Sequence, residues 1–262
     1  MRRWMTIKTY KGFFIDLDGT VYAGTNPIPT AKKFISELDA RGIPYLYVTN
    51  NATKSQEDVV AHLKAVSGID AAPEHVYTSG MAAVDFAKKN YPGARTFVVG
   101  EPALQRQVEA AGLLLVEKDI EVVIQGMDRF VTYDKLATAS TAIRNGAAFI
   151  ATNPDVNLPT ENGMMPGAGS LTAFLKISTQ REPLIIGKPF GYIMDGALER
   201  IGLTKEEVVM VGDNYNTDIL AGMNYGVDTL LALTGVTTVE DLEEITNKPT
   251  HILNDLSEWR FE

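Results

Sequence analysis

Short apolar runs that stop abruptly at polar residues recur along this chain. Gly12-Phe13-Phe14-Ile15 ends at Asp16, Tyr45-Leu46-Tyr47-Val48 ends at Thr49-Asn50-Asn51, and Val208-Val209-Met210-Val211 ends at Gly212-Asp213. Unbroken apolarity of this length marks a strand buried on both faces, and the sudden switch marks where its carboxyl end meets solvent. Between these runs the apolar positions fall at helical spacing. Thr30 caps a predicted helix that stops at Gly42, and Ser55 opens another that runs to Val66. The pattern predicts further strands at 96–99, 113–116, 122–125, 148–151, 228–233 and 251–253, with helices at 82–89, 102–111, 133–145 and 192–200. Residues 153–169, rich in Pro, Gly and Asn, read as one long irregular loop, and loops of that length usually carry function. Strands alternating regularly with helices predict an α/β fold with a Rossmann-like three-layer core. Its sheet is mostly parallel, and ligands bind beyond the carboxyl ends of the strands.

Composition narrows the function classes. The 262 residues are 45% hydrophobic and 22% charged, which excludes a disordered or fibrous chain. The lack of cysteine excludes a disulfide framework, a thiol nucleophile and thiolate zinc sites, and it fits a reducing cytoplasm. The longest apolar runs fall far short of the roughly 20 residues that cross a bilayer, so no membrane association is expected. Arg2 and Arg3 are not followed by the apolar stretch of a signal peptide, and Met5 competes with Met1 as the start. A net charge of -9 without a basic run argues against nucleic acid. It also means that an anionic ligand needs a local cation or a metal.

The polar residues at the strand ends meet that need. Asp16-Leu17-Asp18-Gly19-Thr20 places two carboxylates after a buried strand, with Gly19 able to bring the backbone close to a ligand. A calcium loop is excluded, because Val21 and Pro27 stand where it requires Gly and Glu. Asp213 adds a carboxylate at the same sheet edge, with Asp218 one turn further on to orient it. An all-oxygen set without His or Cys selects a hard cation such as Mg2+. Thr49 and Asn50 offer a hydroxyl, an amide and backbone N–H groups to phosphoryl oxygens, and Lys188 offers the missing positive charge. His62, His75 and His251 sit in none of these clusters and read as structural.

These four clusters resemble the motifs of the haloacid dehalogenase superfamily. The first is matched by Asp16 to Val21, the second by Thr49, the third by Lys188 and the fourth by Gly212 to Asp218. More narrowly, Thr49-Asn50-Asn51, Thr152-Asn153-Pro154-Asp155, Pro166-Gly167-Ala168-Gly169 and Gly187-Lys188-Pro189 resemble the NagD-like subfamily, which includes p-nitrophenyl phosphatases and acid sugar phosphatases. The resemblance implies a Mg2+-dependent phosphatase acting on small phosphate monoesters. Asp16 would attack phosphorus to give an aspartyl-phosphate, and Asp18 would protonate the leaving oxygen and then activate water. Mg2+ would be held by the side chains of Asp16 and Asp213 and the backbone carbonyl of Asp18. Asp218 and Gly19 would support them. Thr49, Lys188 and the neighbouring Asn50 and Asn51 would hold the phosphoryl group.

The resemblance also implies a core of 1–80 and 183–262 with an inserted α/β cap of 81–182, in which Asn153, Asp155 and Asn157 are the candidate contacts for the leaving group. Met164 and Met165 would pad the pocket. Sugar, acid-sugar, glycolate, glycerol and nucleoside phosphates all stay open as substrates. So does a homodimer, since a cap face or an edge strand can pair without leaving a readable pattern. A phosphotransferase or mutase, and a sensor that binds phosphate without turnover, are the rival readings. The late position of the insertion argues against the first, and the second aspartate, Asp18, against the other.

Overall fold

The computed structural model describes residues 8–160 and 163–261. Met1 and Met5, the two candidate starts, lie outside the described residues, as do residues 161 and 162 of the expected long loop. The chain opens with β1 (Gly12–Ile15) and a small hairpin of β2 (Tyr22–Ala23) and β3 (Asn26–Pro27). It continues through α1 (Pro29–Arg41), β4 (Tyr45–Thr49), α2 (Gln56–Ser67), β5 (Val76–Thr78) and α3 (Ser79–Asn90). A second run follows: β6 (Arg95–Val99), α4 (Pro102–Ala110), β7 (Leu114–Leu115), β8 (Val122–Gln125), α5 (Tyr133–Arg144) and β9 (Ala148–Ala151). It ends in a hairpin of β10 (Asn157–Thr160) and β11 (Gly163–Pro166), then α6 (Ala168–Thr179) and β12 (Leu184–Ile185). The last run holds α7 (Tyr192–Ile201), β13 (Val208–Gly212), α8 (Leu220–Tyr225), β14 (Asp228–Ala232), α9 (Val239–Glu244) and β15 (His251–Leu253).

The strands form two sheets of parallel strands. The larger has the order β15-β14-β13-β1-β4-β5, the smaller β12-β9-β8-β6-β7. Alternation along β1 shows why helices cover both faces of the first sheet. Phe13 and Ile15 pack with Phe34, Ile35 and Leu38 of α1, while Phe14 points the other way, toward Met194 and Ala197 of α7 and Ala221 of α8. The second sheet is built alike. Val98, Val122 and Ile124 face Val84 and Ala87 of α3 and Leu104 of α4, and Val99, Val123 and Phe149 face α5 and Leu175 of α6.

In each sheet the chain leaves one central pair of strands in opposite directions. From β1 it proceeds to β4 and β5, and from β13 to β14 and β15, so the connections diverge between β1 and β13. Beyond the carboxyl ends of that pair a crevice opens, the place where such folds bind ligands. In the second sheet the divergence falls between β6 and β8.

Two expectations are corrected, and one strand is new. Helix α1 starts on Pro29 with Ile28 at its N-cap, ahead of Thr30, because the fixed φ of proline suits the first turn. The expected irregular loop contains an antiparallel hairpin, Asn157 pairing with Pro166 and Leu158 with Met165. Leu184–Ile185, where no strand was expected, pairs with Ile150 and Ala151 at the edge of the second sheet. Among the described residues, no helix is long and apolar enough to cross a membrane.

Candidate active site

Asp16 and Asp213 emerge from β1 and β13 into the first crevice, and both are buried. The backbone turns sharply after Asp16, with the Gly19 N–H donating to the Tyr22 carbonyl at 2.6 Å. Gly19 has φ 89°, and a Cβ there would overlap the Asp213 carboxylate. Both the left-handed turn and the close approach of the two motifs therefore need glycine. Asp18 is not among the buried carboxylates. It is exposed, and its Oδ1 accepts the Gly24 N–H at 3.1 Å.

Lys188, which is 1% exposed, supplies the cation. Its Nζ lies 2.5 Å from Asp16 Oδ1 and 2.7 Å from Asp218 Oδ1, and it donates to the Val48 carbonyl at 2.8 Å. Burial alone would lower its pKa, but the charges of Asp16 and Asp218 more than offset this and hold the ammonium above its ordinary range. Asp16 is raised well above the usual carboxylate range by burial and by the charges of Asp218 and Asp213, with Lys188 opposing them. Burial and the charge of Asp218 push Asp213 up to about 6 against hydrogen bonds that favour its ionised form.

Those bonds come from residues that sequence reasoning missed. Thr20 Oγ1 donates to Asp213 Oδ1 at 3.3 Å, and the Val236 N–H donates to Oδ2 at 2.7 Å. Thr234 Oγ1 donates to the Gly19 carbonyl at 2.7 Å, and the Thr237 N–H to the Asp213 carbonyl at 3.1 Å. The segment 234–238 thus clasps both carboxylate loops. The signal for it was the Thr-Gly pair directly after the apolar run ending at Leu233.

Ligand oxygens of Asp16, Asp213 and Asp218 all lie within 4.8 Å of one another. Three converging carboxylates repel in a buried crevice, and one buried lysine only partly balances them. The donor set is therefore chemically fit for a hard divalent cation. Asp218 stands on a π-helical turn, Tyr215–Ile219, and its Oδ2 accepts the Asn214 N–H at 3.1 Å. This places an oxygen of Asp218 in the same group as those of Asp16 and Asp213.

The remaining predicted residues line the neighbouring rim. Thr49 is buried at the end of β4, and its Oγ1 accepts the Asn51 N–H at 3.2 Å. Asn50 Oδ1 accepts the Lys188 N–H at 2.8 Å, while its Nδ2 donates to the Lys188 carbonyl at 2.9 Å and to both Asp155 oxygens at 3.2 Å. Asn50 thereby fixes the backbone that carries the buried lysine. Asn51 is exposed, and its Oδ1 closes a turn by accepting from the N–H groups of Thr53 and Lys54. Asn153 Nδ2 donates to the Asn50 carbonyl at 2.8 Å, and its Oδ1 accepts the Asp155 N–H at 3.1 Å. Burial raises the Asp155 pKa against the stabilising Asn50 amide and Lys188 charge. Asn157 lies in β10 and is exposed. The three histidines stay outside the crevice, stacked edgewise on Tyr22 and Trp259 or tilted on Tyr45.

Comparison with known proteins agrees with this architecture. Residues 13–114 match the model of the haloacid dehalogenase-like hydrolases, and residues 185–259 match a second HAD-hydrolase-like model. An acid sugar phosphatase of Staphylococcus aureus is 47% identical over 253 residues, covering 96% of this chain and 97% of the relative. The chain is a NagD-like haloacid dehalogenase-type hydrolase. A thermostable NPPase from Geobacillus stearothermophilus superimposes on the hydrolase with a TM-score of 0.91 at 45% identity, covering 98% of this chain and 100% of that one. NagD from E. coli K-12 does so with a TM-score of 0.91 at 33% identity, covering 97% and 100%. Both likenesses extend over the two sheets, so the hydrolase shares the whole architecture and not only its motifs.

Proposed function

We propose that this hydrolase is a Mg2+-dependent phosphatase that cleaves small phosphate monoesters, sugar or acid-sugar phosphates among them, through an aspartyl-phosphate. The carrying observation is the buried Lys188 ammonium set against Asp16 and Asp218 at a three-carboxylate cluster. In an acidic protein the buried ammonium, together with the cation these carboxylates would hold, supplies the positive charge that a phosphoryl group requires. The phosphatase names of the relatives support the reading.

Asp16 attacks phosphorus through a carboxylate oxygen while the ester oxygen departs with a proton from Asp18. Asp18 then takes a proton from water as it opens the acyl phosphate, which returns Asp16 and releases inorganic phosphate. Lys188, the Thr49 hydroxyl and the Asn50–Asn51 backbone hold the non-bridging oxygens, and Asn50 acts by positioning Lys188. Asp16, Asp213 and the Asp18 carbonyl, with Asp218 beside them, would hold Mg2+, which would supply charge compensation between nucleophile and phosphate. The second sheet, with the hairpin β10–β11, serves as a cap that excludes water and carries the leaving-group contacts Asn153 and Asp155. The cysteine-free composition fits a cytoplasmic enzyme.

The test is phosphate release from p-nitrophenyl phosphate and a panel of metabolite monoesters, with Mg2+ or chelator. Mg2+-dependent turnover that falls by at least about a thousandfold in Asp16→Asn and in Asp18→Asn is expected. Turnover on no ester, or full turnover in Asp16→Asn, defeats the assignment.

A further inference from the structure

A carboxyl on a short exposed side chain keeps its rotamers open unless a partner holds it. For Asp18 that partner is the Gly24 N–H, which donates to Oδ1 at 3.1 Å. Gly24 stands at the tip of the hairpin β2–β3, where Ala23 pairs with Asn26 and Gly24 has φ 61°, the left-handed geometry that opens a two-residue turn. A bond accepted by Oδ1 leaves Oδ2 to carry a proton. The hairpin therefore sets which way the acid faces.

So small a hairpin is marginal by itself, and Ala23 to Pro27 are exposed. Its root is tied to the catalytic loop, since the Tyr22 carbonyl accepts the Gly19 N–H at 2.6 Å. Its tip is tied to α2. The His62 ring stands edge-on to Tyr22, with centroids 4.9 Å apart and planes at 84°, an arrangement that aromatic rings prefer. The imidazole also makes a hydrogen bond to the Gly24 backbone that favours its protonated form, so its N–H donates and the carbonyl accepts. Gly24 is thus held by His62 through its carbonyl while its N–H holds Asp18. Burial, with the charges of Asp16 and Asp18, keeps the phenol of Tyr22 well above its ordinary pKa range, as befits a ring set between His62 and those two acids.

We propose that His62 is a positioning residue for phosphoryl transfer: it braces Tyr22 and the main chain of Gly24, and through the Gly24 N–H it orients the Asp18 carboxyl toward the leaving oxygen. This inference rests on the phosphatase reading above. As the bond from Asp16 to phosphorus forms and the bond to the ester oxygen breaks, the proton on Asp18 passes to the departing oxygen. An acid turned aside transfers it late or not at all. His62 acts only through Asp18, so its removal matters in proportion to the basicity of the leaving oxygen.

The test compares kcat/KM for phenyl phosphate and p-nitrophenyl phosphate, with Mg2+ present, in wild type, His62→Ala and His62→Gln. The nitro group makes the departing phenolate far less basic, so it leaves with little help from an acid, while the unsubstituted phenolate needs the proton. His62→Ala is expected to lower kcat/KM at least about tenfold for phenyl phosphate and less than about twofold for p-nitrophenyl phosphate. His62→Gln, which keeps a donor for the Gly24 carbonyl, should recover part of the phenyl phosphate rate. The ratio of the two esters on one preparation cancels any difference in the fraction folded, so a weakened fold does not mimic the effect. Equal losses on both esters, or no loss on either, overturns the role of His62 and leaves the phosphatase standing. Turnover on no ester in wild type removes the phosphatase reading and this inference with it.

Discussion

Asp213 shows how a single residue ties metal, proton and stability together. Its carboxyl, raised to about 6, binds a proton more tightly in the folded chain than in the unfolded one. Its contribution to stability is therefore fully present below about pH 4, the ordinary carboxylate range, and is lost as pH rises through about 6. Above that point the metal-free crevice carries ionised carboxylates that repel, and a divalent cation relieves the repulsion. Mg2+ should then raise the melting temperature by roughly 5–10 °C at pH 7.5, when its concentration is about a hundred times its dissociation constant. At pH 5 the same concentration should raise it far less, because protons compete for the same oxygens. Scanning calorimetry with Mg2+ and with chelator at the two pH values measures this. Equal shifts at both would mean that Asp213 does not bind the cation.

At the scale of elements, the loop between β14 and α9 holds Asp213 from outside. A Cβ on Gly235 would overlap the Asp213 carboxylate, and the donor Val236 N–H follows directly. Gly235→Ala obstructs the short Asp213 side chain from its carboxylate down to its Cβ, so the side chain must shift and leave its donors. The Mg2+ concentration for half-maximal activation is expected to rise about tenfold, equivalent to ~1.4 kcal/mol of binding. A titration in which wild type and variant coincide would show that the loop does not set the position of Asp213. This clasp was scarcely legible in the sequence, whereas Asp16, Thr49, Lys188 and Asp213 were, and the reason is physical. A buried strand that ends in an acid advertises itself over a few residues. A backbone N–H arriving from residue 236 has no residue type to announce it. The hairpin β10–β11 was hidden for a similar reason, because Pro159 and Gly163 break the alternation that marks strands. Leu184–Ile185 was too short to declare its sheet, since its partner β9 lies more than thirty residues earlier.

Across the whole molecule, the largest apolar cluster disregards the division into two sheets. It runs from Phe14, Val48 and Met210 of the first through Met81, Ala83 and Ala87 of α3 to Val98, Ile124 and Ile150 of the second. Exposing one half would uncover the apolar face of the other, and each buried aliphatic side chain contributes on the order of 1.5–3 kcal/mol. The hydrolase should therefore unfold in a single transition, with calorimetric and van't Hoff enthalpies equal. Two resolved transitions would show that the sheets are energetically separate.

Lys188 lies three residues beyond β12, the edge strand of the second sheet, yet its ammonium sits in the crevice of the first. Asn50, at the end of a first-sheet strand, grips the main chain at that same residue. The ammonium proposed to receive phosphate thus follows a strand of the second sheet and lies in the crevice of the first. Displacement of the second sheet would be transmitted through a three-residue tether and a single amide to the nucleophile, in the way a lever is geared to a latch. Shape and reactivity in this hydrolase then share one joint, and any change in how the two sheets meet would also change the electrostatics around Asp16.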